Sequence, residues 1–120
     1  MNLSYRHGGE VGIVHVHADR LDAASAIRFK DLFDALTTAG PGAGAGIVLL
    51  DLGEVEFLDS SGLGAIVAAR KRLGSQRTLA LGALQPAVSK VIRLTHMDRV
   101  FDVYGDTAAF LQAQGKSEAV

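Results

Sequence analysis

The stretch VEFLDSSGLG at residues 55–64 joins a short apolar segment to a polar turn. Asp and Ser favour the N-cap of a helix, because their side-chain oxygens accept hydrogen bonds from first-turn amides that lack a partner within the helix. The pattern therefore predicts a strand that runs into a helix, with the turn at Asp59, Ser60 and Ser61. A capped turn of this kind is a structural feature, and by itself it assigns no function.

Apolar periodicity upstream of this stretch alternates between strand and helix. Residues 47–50 form a continuous apolar run that is typical of a strand covered on both faces. Earlier, a glycine pair at 8–9 separates an alternating segment from the apolar run at 11–18, which predicts a hairpin. Residues 29–36 then repeat apolar side chains at i, i+3, i+4 and i+7, so a helix capped by Asp22 is expected.

Downstream of the polar turn, helices and strands continue to alternate. A helix from about 62 to 73 is followed by a strand at 78–83, a helix beginning at Pro86, a strand at 100–104 and a last helix capped by Asp106. The predicted order is ββαβαβαβα. Strands that alternate with helices predict a single α/β domain, with a mixed, mostly parallel β-sheet, an N-terminal hairpin and about four helices.

The segment at 37–46 reads TTAGPGAGAG, and its glycines favour neither a helix nor a strand, so a flexible loop is expected there. The hairpin and helix that precede this loop are too small to form a domain alone. We therefore expect one domain at 1–112, followed by a polar tail at 113–120 that frays.

The composition limits the classes of function. The 120 residues contain no cysteine, which excludes disulfides, zinc-thiolate sites and redox pairs. The net charge of -1 and the absence of an aromatic and basic motif give no indication of direct nucleic-acid binding. The chain lacks a signal-peptide pattern and any apolar run of about 20 residues, so a cytoplasmic protein that does not enter a membrane is expected.

Three segments together resemble a known family. They are DSSGLG at 59–64 after the strand at 47–52, RLDAA at 20–24 and VIRLTHMDRVF at 91–101. With these segments the chain resembles the STAS domain family, the fold of bacterial anti-anti-sigma factors, from about 11 to 111. It departs from the family at Arg20, where Gly is usual, and at His96-Met97, where Gly-Leu is usual.

By this resemblance the protein is an anti-sigma factor antagonist and not an enzyme, with no catalytic residue and no cofactor. Its unphosphorylated form would bind an anti-sigma factor serine kinase and release a sigma factor. The ATP-dependent kinase would phosphorylate Ser61 and switch binding off, and a serine phosphatase would reset it. Ser60, the adjacent hydroxyl, would be a cap or turn residue. The resemblance places the partner-binding residues at Asp22, Asp59, Ser60, Ser61, Gly62 and Leu63.

Two other functions stay open at this point. The domain could be a structural subunit of a transporter ATPase complex or of a signalling scaffold, in which the serine need not be phosphorylated. It could also be a small enzyme or ligand-binding domain that uses His15, His17 and Asp19, which share one side of a strand. No further ligand motif accompanies these three residues, so we expect no metal. Motifs of serine hydrolases and nucleotide-binding proteins are also absent from the sequence.

Overall fold

The computed structural model describes residues 1–116. Along this part of the chain the elements are β1 (Asn2–Arg6), β2 (Val11–His17), β3 (Arg20–Leu21), α1 (Ala26–Asp34), β4 (Ile47–Asp51), β5 (Phe57–Leu58), α2 (Ser60–Leu73), β6 (Thr78–Gly82), α3 (Pro86–Leu94), β7 (Val103–Tyr104) and α4 (Thr107–Ala113). A π-helical turn, Ala35–Ala39, extends α1, and a 3-10 turn, Met97–Arg99, follows α3. Residues 117–120 of the predicted tail lie outside the described part.

Five strands form the main sheet in the order β1-β2-β4-β6-β7. The pair β1 and β2 is antiparallel, whereas β2, β4, β6 and β7 run parallel to one another. The prediction of a mixed sheet with an N-terminal hairpin and about four helices is therefore confirmed. The strand predicted before the polar turn is β5, but its parallel pairing with β3 in a second, two-stranded sheet was not foreseen.

Side chains of the main sheet alternate between two faces, as the strand period requires. Val14, Leu50 and Leu81 are paired across three strands and belong to the larger core, which they share with α1, α2 and α3. Ile13, Leu49 and Ala80 point to the opposite face, where α4 covers them with Phe110 and Leu111. Helices on both faces explain the continuous apolar run of β4.

Three boundaries differ from the prediction. Asp22 does not cap α1, because that helix begins at Ala26 and its N-cap is Ser25. Asp22 instead closes the turn before the helix, in which its Oδ1 accepts a hydrogen bond from the amide of Ser25 at 3.3 Å. Helix α2 begins at Ser60, before the expected start, and β7 is shorter than the predicted strand at 100–104.

The predicted flexible loop at 37–46 is more ordered than its composition indicates. Its first residues continue α1 as the π-helical turn, in which the buried Thr37 hydroxyl donates to the Phe33 carbonyl at 2.7 Å. The guanidinium of Arg77, which precedes β6, donates to the carbonyls of Thr37, Gly42 and Ala45 at 2.7 to 2.8 Å. One side chain thus adds to the backbone hydrogen bonds of the segment, such as that from the Gly42 amide to the Leu36 carbonyl at 2.8 Å.

Arg77→Lys is expected to destabilise the domain by about 2 kcal/mol, because an ammonium cannot reach three diverging carbonyls as the planar guanidinium does. Urea unfolding measures the change. The matched control is Arg72→Lys: Arg72 forms an ion pair with Asp34 at 2.8 Å, but its side chain is 64% exposed. That substitution should change the free energy of unfolding by less than about 1 kcal/mol. Equal effects at the two positions would contradict the role given to Arg77.

Candidate partner-binding site

The small β3–β5 sheet positions the candidate site. Arg20 pairs with Phe57 and Leu21 pairs with Leu58, and both strands run in the same direction. The residues that follow them, Asp22 and Asp59, therefore leave the sheet side by side. The amide of Asp59 also donates to the carbonyl of Leu21, at 3.4 Å. Two acids that are far apart in the sequence thus meet on one edge of the domain.

Asp59 is the N-cap of α2. Its backbone is extended, with φ -103° and ψ -174°, and its Oδ1 accepts a hydrogen bond from the amide of Gly62 at 2.9 Å. Ser60 and Ser61 occupy the first turn of the helix, and both are exposed. Their amides belong to the end of the helix where N–H groups lack carbonyl partners within the helix. The Ser61 hydroxyl is therefore accessible at the positive end of a helix dipole.

Gly62 lets α2 approach β3 closely. It is buried, and a Cβ built on it would overlap the carbonyl oxygen of Leu21 and lie 2.8 Å from Leu58 Cδ1. Gly64, two residues further along the helix, has room for a methyl group, since a Cβ there would meet no heavy atom within 4 Å among the described residues. The first glycine of the motif is therefore needed for close packing, whereas the second could carry a side chain without a clash.

Arg20 connects the acidic turn to an aromatic ring. Its Nε donates to Asp22 Oδ2 at 3.1 Å, and its guanidinium carbon lies 4.1 Å from the centre of the Phe57 ring. The hydrogen bond from Arg20 holds the pKa of the Asp22 carboxyl below its ordinary value, so Asp22 is ionised at neutral pH. The family's usual Gly at this position could supply neither contact.

Two exposed apolar side chains, one of them just before the turn in β5, were missed by the sequence reasoning. Ile27, in the first turn of α1, is 71% exposed, and Phe57 in β5 is 39% exposed. The sequence did contain a signal for Ile27. This apolar residue lies outside the apolar repeat of α1, so it is not expected on the buried face of that helix. Exposed apolar side chains beside charged ones are typical of a protein interface.

The remaining predicted site residues have different environments. Asp22, Asp59, Ser60 and Ser61 lie together around the start of α2, whereas Gly62 is buried and Leu63 is half-buried against the larger core. Contact of a partner with these six residues stays a prediction. The basic side chains Arg70, Lys71 and Arg72 are in the last turn of the same helix, about 15 to 18 Å from its start at 1.5 Å per residue.

His15 and His17 do not combine with Asp19. Their rings stack with centroids 4.4 Å apart, and both approach the carboxylate of Glu54, which lies between β4 and β5. The hydrogen bond from His17 holds the pKa of Glu54 below its ordinary value. Sequence reasoning missed Glu54, because its approach to β2 depends on the path of the chain after β4.

No helix within residues 1–116 is both long enough and apolar enough to span a bilayer.

Among solved structures, an anti-sigma factor antagonist from Mycobacterium paratuberculosis is 27% identical with a TM-score of 0.72, over 86% of this chain and 84% of that chain. An anti-sigma-factor antagonist (STAS) domain protein from Planctomyces limnophilus is 27% identical with a TM-score of 0.73, over 88% of this chain and 90% of that one.

The anti-sigma factor antagonist SpoIIAA shares the fold at lower identity. Its unphosphorylated form is 16% identical with a TM-score of 0.70, over 94% of this chain and 96% of that chain. The phosphorylated form of the Bacillus cell fate determinant SpoIIAA is 14% identical with a TM-score of 0.63, over 92% of this chain and 98% of that chain. A family model for the STAS domain matches residues 2–109. This chain therefore belongs to the STAS domain family.

Proposed function

We infer that this protein is an anti-sigma factor antagonist whose binding is controlled by phosphorylation of Ser61. The unphosphorylated form binds an anti-sigma factor serine kinase, and the sigma factor held by that kinase is released to start transcription. The observation that carries this proposal is the position of Ser61: an exposed residue on the first turn of α2, two residues after the N-cap Asp59, where the β3–β5 pairing also brings the chain at Asp22.

The chemistry of the turn supports a switch in recognition. A phosphate on Ser61 would add about -1.5 to -2 charges at neutral pH to a surface that already carries two acids. The same phosphate would be favourable to α2, by about 0.3 to 2 kcal/mol, because it would stand at the positive end of the helix dipole. The domain therefore stays folded when its binding surface changes charge.

The other members of the pathway would be a kinase and a phosphatase. The kinase supplies the ATP and transfers the phosphoryl group, and a serine phosphatase removes it, so this chain catalyses neither step. The signalling protein acts in the cytoplasm by exchange of protein partners, without direct contact with nucleic acid or membrane.

The direct test is complex formation with candidate anti-sigma factor kinases from the same genome, followed by release with ATP. The unphosphorylated chain should form a complex with one of them, and ATP should dissociate it. Mass spectrometry should then place the phosphate on Ser61. A chain that binds no such kinase, while it co-purifies with a transporter ATPase, would favour the structural-subunit function instead.

Asp22→Asn is expected to weaken binding of the kinase about tenfold with little change in stability. The amide oxygen of Asn can still accept from Ser25, so the turn is kept, whereas the negative charge and its ion pair with Arg20 are lost. Isothermal titration and thermal unfolding measure the two effects. Asp106→Asn is the matched control, because Asp106 caps α4 with a bond to the Ala109 amide at 2.8 Å. Unchanged affinity in Asp22→Asn would show that Asp22 is only a turn residue.

A further inference from the structure

A cluster of metal-ligand side chains lies at the carboxyl end of the sheet, apart from the Ser61 turn. One ligand atom from each of His15, His17 and Glu54 can be chosen so that all lie within 4.8 Å of one another. His15 Nε2 is 2.8 Å and His17 Nδ1 is 2.9 Å from the same carboxylate oxygen, Glu54 Oε2. Both histidines therefore direct one ring nitrogen to a common point.

The other ring nitrogens of the two histidines face polar groups. Ser4 Oγ is hydrogen-bonded to His17 Nε2 at 2.7 Å, whereas the carboxylate of Asp51 lies 3.6 Å from His15 Nδ1, close to the ring but beyond hydrogen-bond distance. In metal sites the ring nitrogen that does not bind the metal almost always has such a partner, which fixes the ring orientation. The cluster thus has an outer layer as well as its three inner ligands.

The loop that carries Glu54 is held in place before any ligand arrives. Asp51 Oδ1 accepts from the Gly53 amide at 2.9 Å, and the Gln85 side chain donates to the Gly53 carbonyl at 2.8 Å. After the loop, the Glu56 amide donates to the Asp19 carbonyl at 2.7 Å. Glu54 is therefore fixed on both sides, while its own side chain is 52% exposed and free to adjust.

One nitrogen of the cluster has only the Glu54 carboxylate beside it. His15 Nε2 is buried and lies 2.8 Å from Glu54 Oε2, yet within residues 1–116 it makes no hydrogen bond of good geometry. Buried polar atoms usually have a well-placed partner. A metal ion bound by both groups would replace this contact with two coordinate bonds.

We propose that His15, His17 and Glu54 bind a divalent transition-metal ion of the zinc type. Two imidazoles and one carboxylate are ligands that Zn²⁺ accepts at about 2.0 to 2.2 Å. Ligand atoms on one tetrahedral zinc are about 3.3 Å apart, so the nitrogens would move by roughly half an ångström from Glu54 Oε2. Three protein ligands leave a fourth position open to water or to a side chain of a partner protein.

The expectation of no metal came from the sequence, in which no further ligand motif accompanies His15 and His17. The structure brings Glu54 to these two residues, and a metal-binding measurement decides between the two alternatives. The proposal is independent of the phosphorylation of Ser61, because none of the three ligands belongs to the α2 turn.

The test is titration of the untagged chain, freed of metal with a chelator, with Zn²⁺ in a calorimeter. One ion per chain is expected. His17→Ala and Glu54→Gln should each weaken binding at least tenfold, and Asp51→Asn, through His15, about tenfold. His96→Asn is the control, because His96 is exposed and Asn tolerates its left-handed backbone, at φ 60°. Its affinity should equal that of the wild type.

Titration with Co²⁺ gives a second readout, since a tetrahedral site with histidine ligands produces strong visible absorption bands. Thermal unfolding checks that each variant is folded, which the partly exposed positions of His17 and Glu54 favour. Absence of saturable Zn²⁺ binding in the wild type would overturn the proposal. So would equal affinity in the wild type, His17→Ala and Glu54→Gln, because the ion would then bind elsewhere.

Discussion

Ser61→Ala should bind the anti-sigma factor kinase whether or not ATP is present, and Ser61→Asp should bind it weakly. Two unit charges about 4 Å apart repel by about 4 kcal/mol at an effective dielectric near 20, and phosphate carries nearly two charges. A change from almost fully bound to almost fully free needs about 5.5 kcal/mol, a ratio of about 10⁴ in affinity. Repulsion between the phosphate and acids of the partner can supply an energy of that size, because those contacts exist only in the complex.

Aspartate at position 61 should have a smaller effect than phosphate, because it carries one charge and lies closer to the backbone. Affinity measured with and without ATP for the wild type and both variants gives the comparison. Ser60→Ala is the matched control, since Ser60 is equally exposed on the same turn and should keep the response to ATP. The assignment is wrong if the phosphate is found on Ser60, or if Ser61→Ala still gains phosphate and dissociates.

Gly62→Ala should be strongly destabilising, at about 3 kcal/mol, because its closest clash is with backbone. The added Cβ would meet the backbone carbonyl of Leu21, which cannot change rotamer to make room. Overpacking usually costs about 1–3 kcal/mol, and a backbone neighbour places this site at the upper end. Either α2 or β3 must move, so the Asp22 and Asp59 surface should be disturbed as well. Chemical denaturation measures the stability, and titration with the kinase measures the surface.

Gly64→Ala is the control for this prediction, because it adds the same methyl group to the same helix. Within residues 1–116 its Cβ would meet no heavy atom within 4 Å outside its own helix turn, and alanine favours a helix over glycine by about 0.8–1.0 kcal/mol. It should therefore stabilise the domain slightly. If the two variants lose the same stability, the close approach of α2 to Leu21 does not explain the glycine.

The main sheet and its helices could be predicted because their signals are long. The run at 47–50 and the helical repeat of α1 each extend over enough residues to show a period. The β3–β5 sheet could not be predicted in this way, because each strand has only two residues and their pairing is long-range. The contacts of Arg77 were missed because they too are long-range. They join a side chain that follows β4 in the sequence to carbonyls of the loop that precedes β4.

The candidate site was predictable in its parts but not in its assembly. The caps and the family motif indicated Asp59, Ser61 and Asp22 as separate positions in the sequence. That Asp22 lies near the other two in space depends on the pairing of β3 with β5. Asp22 was expected to cap a helix because Asp favours that place, yet Ser25 stands nearer to the first helical residue. His15 and His17 were seen as a pair, and the third member of their cluster depends on the loop after β4.

The parallel pairing of β3 with β5 also determines which molecules can imitate this surface. A synthetic peptide of residues 55–66 would contain Ser61 but neither Asp22 nor the Leu21 carbonyl, which reach α2 only through the pairing. Closing the long loop between the two strands has an entropic cost that the folded core must offset. The partner would therefore recognise the folded state together with the sequence. Nascent or damaged chains, in which the two strands have separated, would leave the kinase bound to its sigma factor.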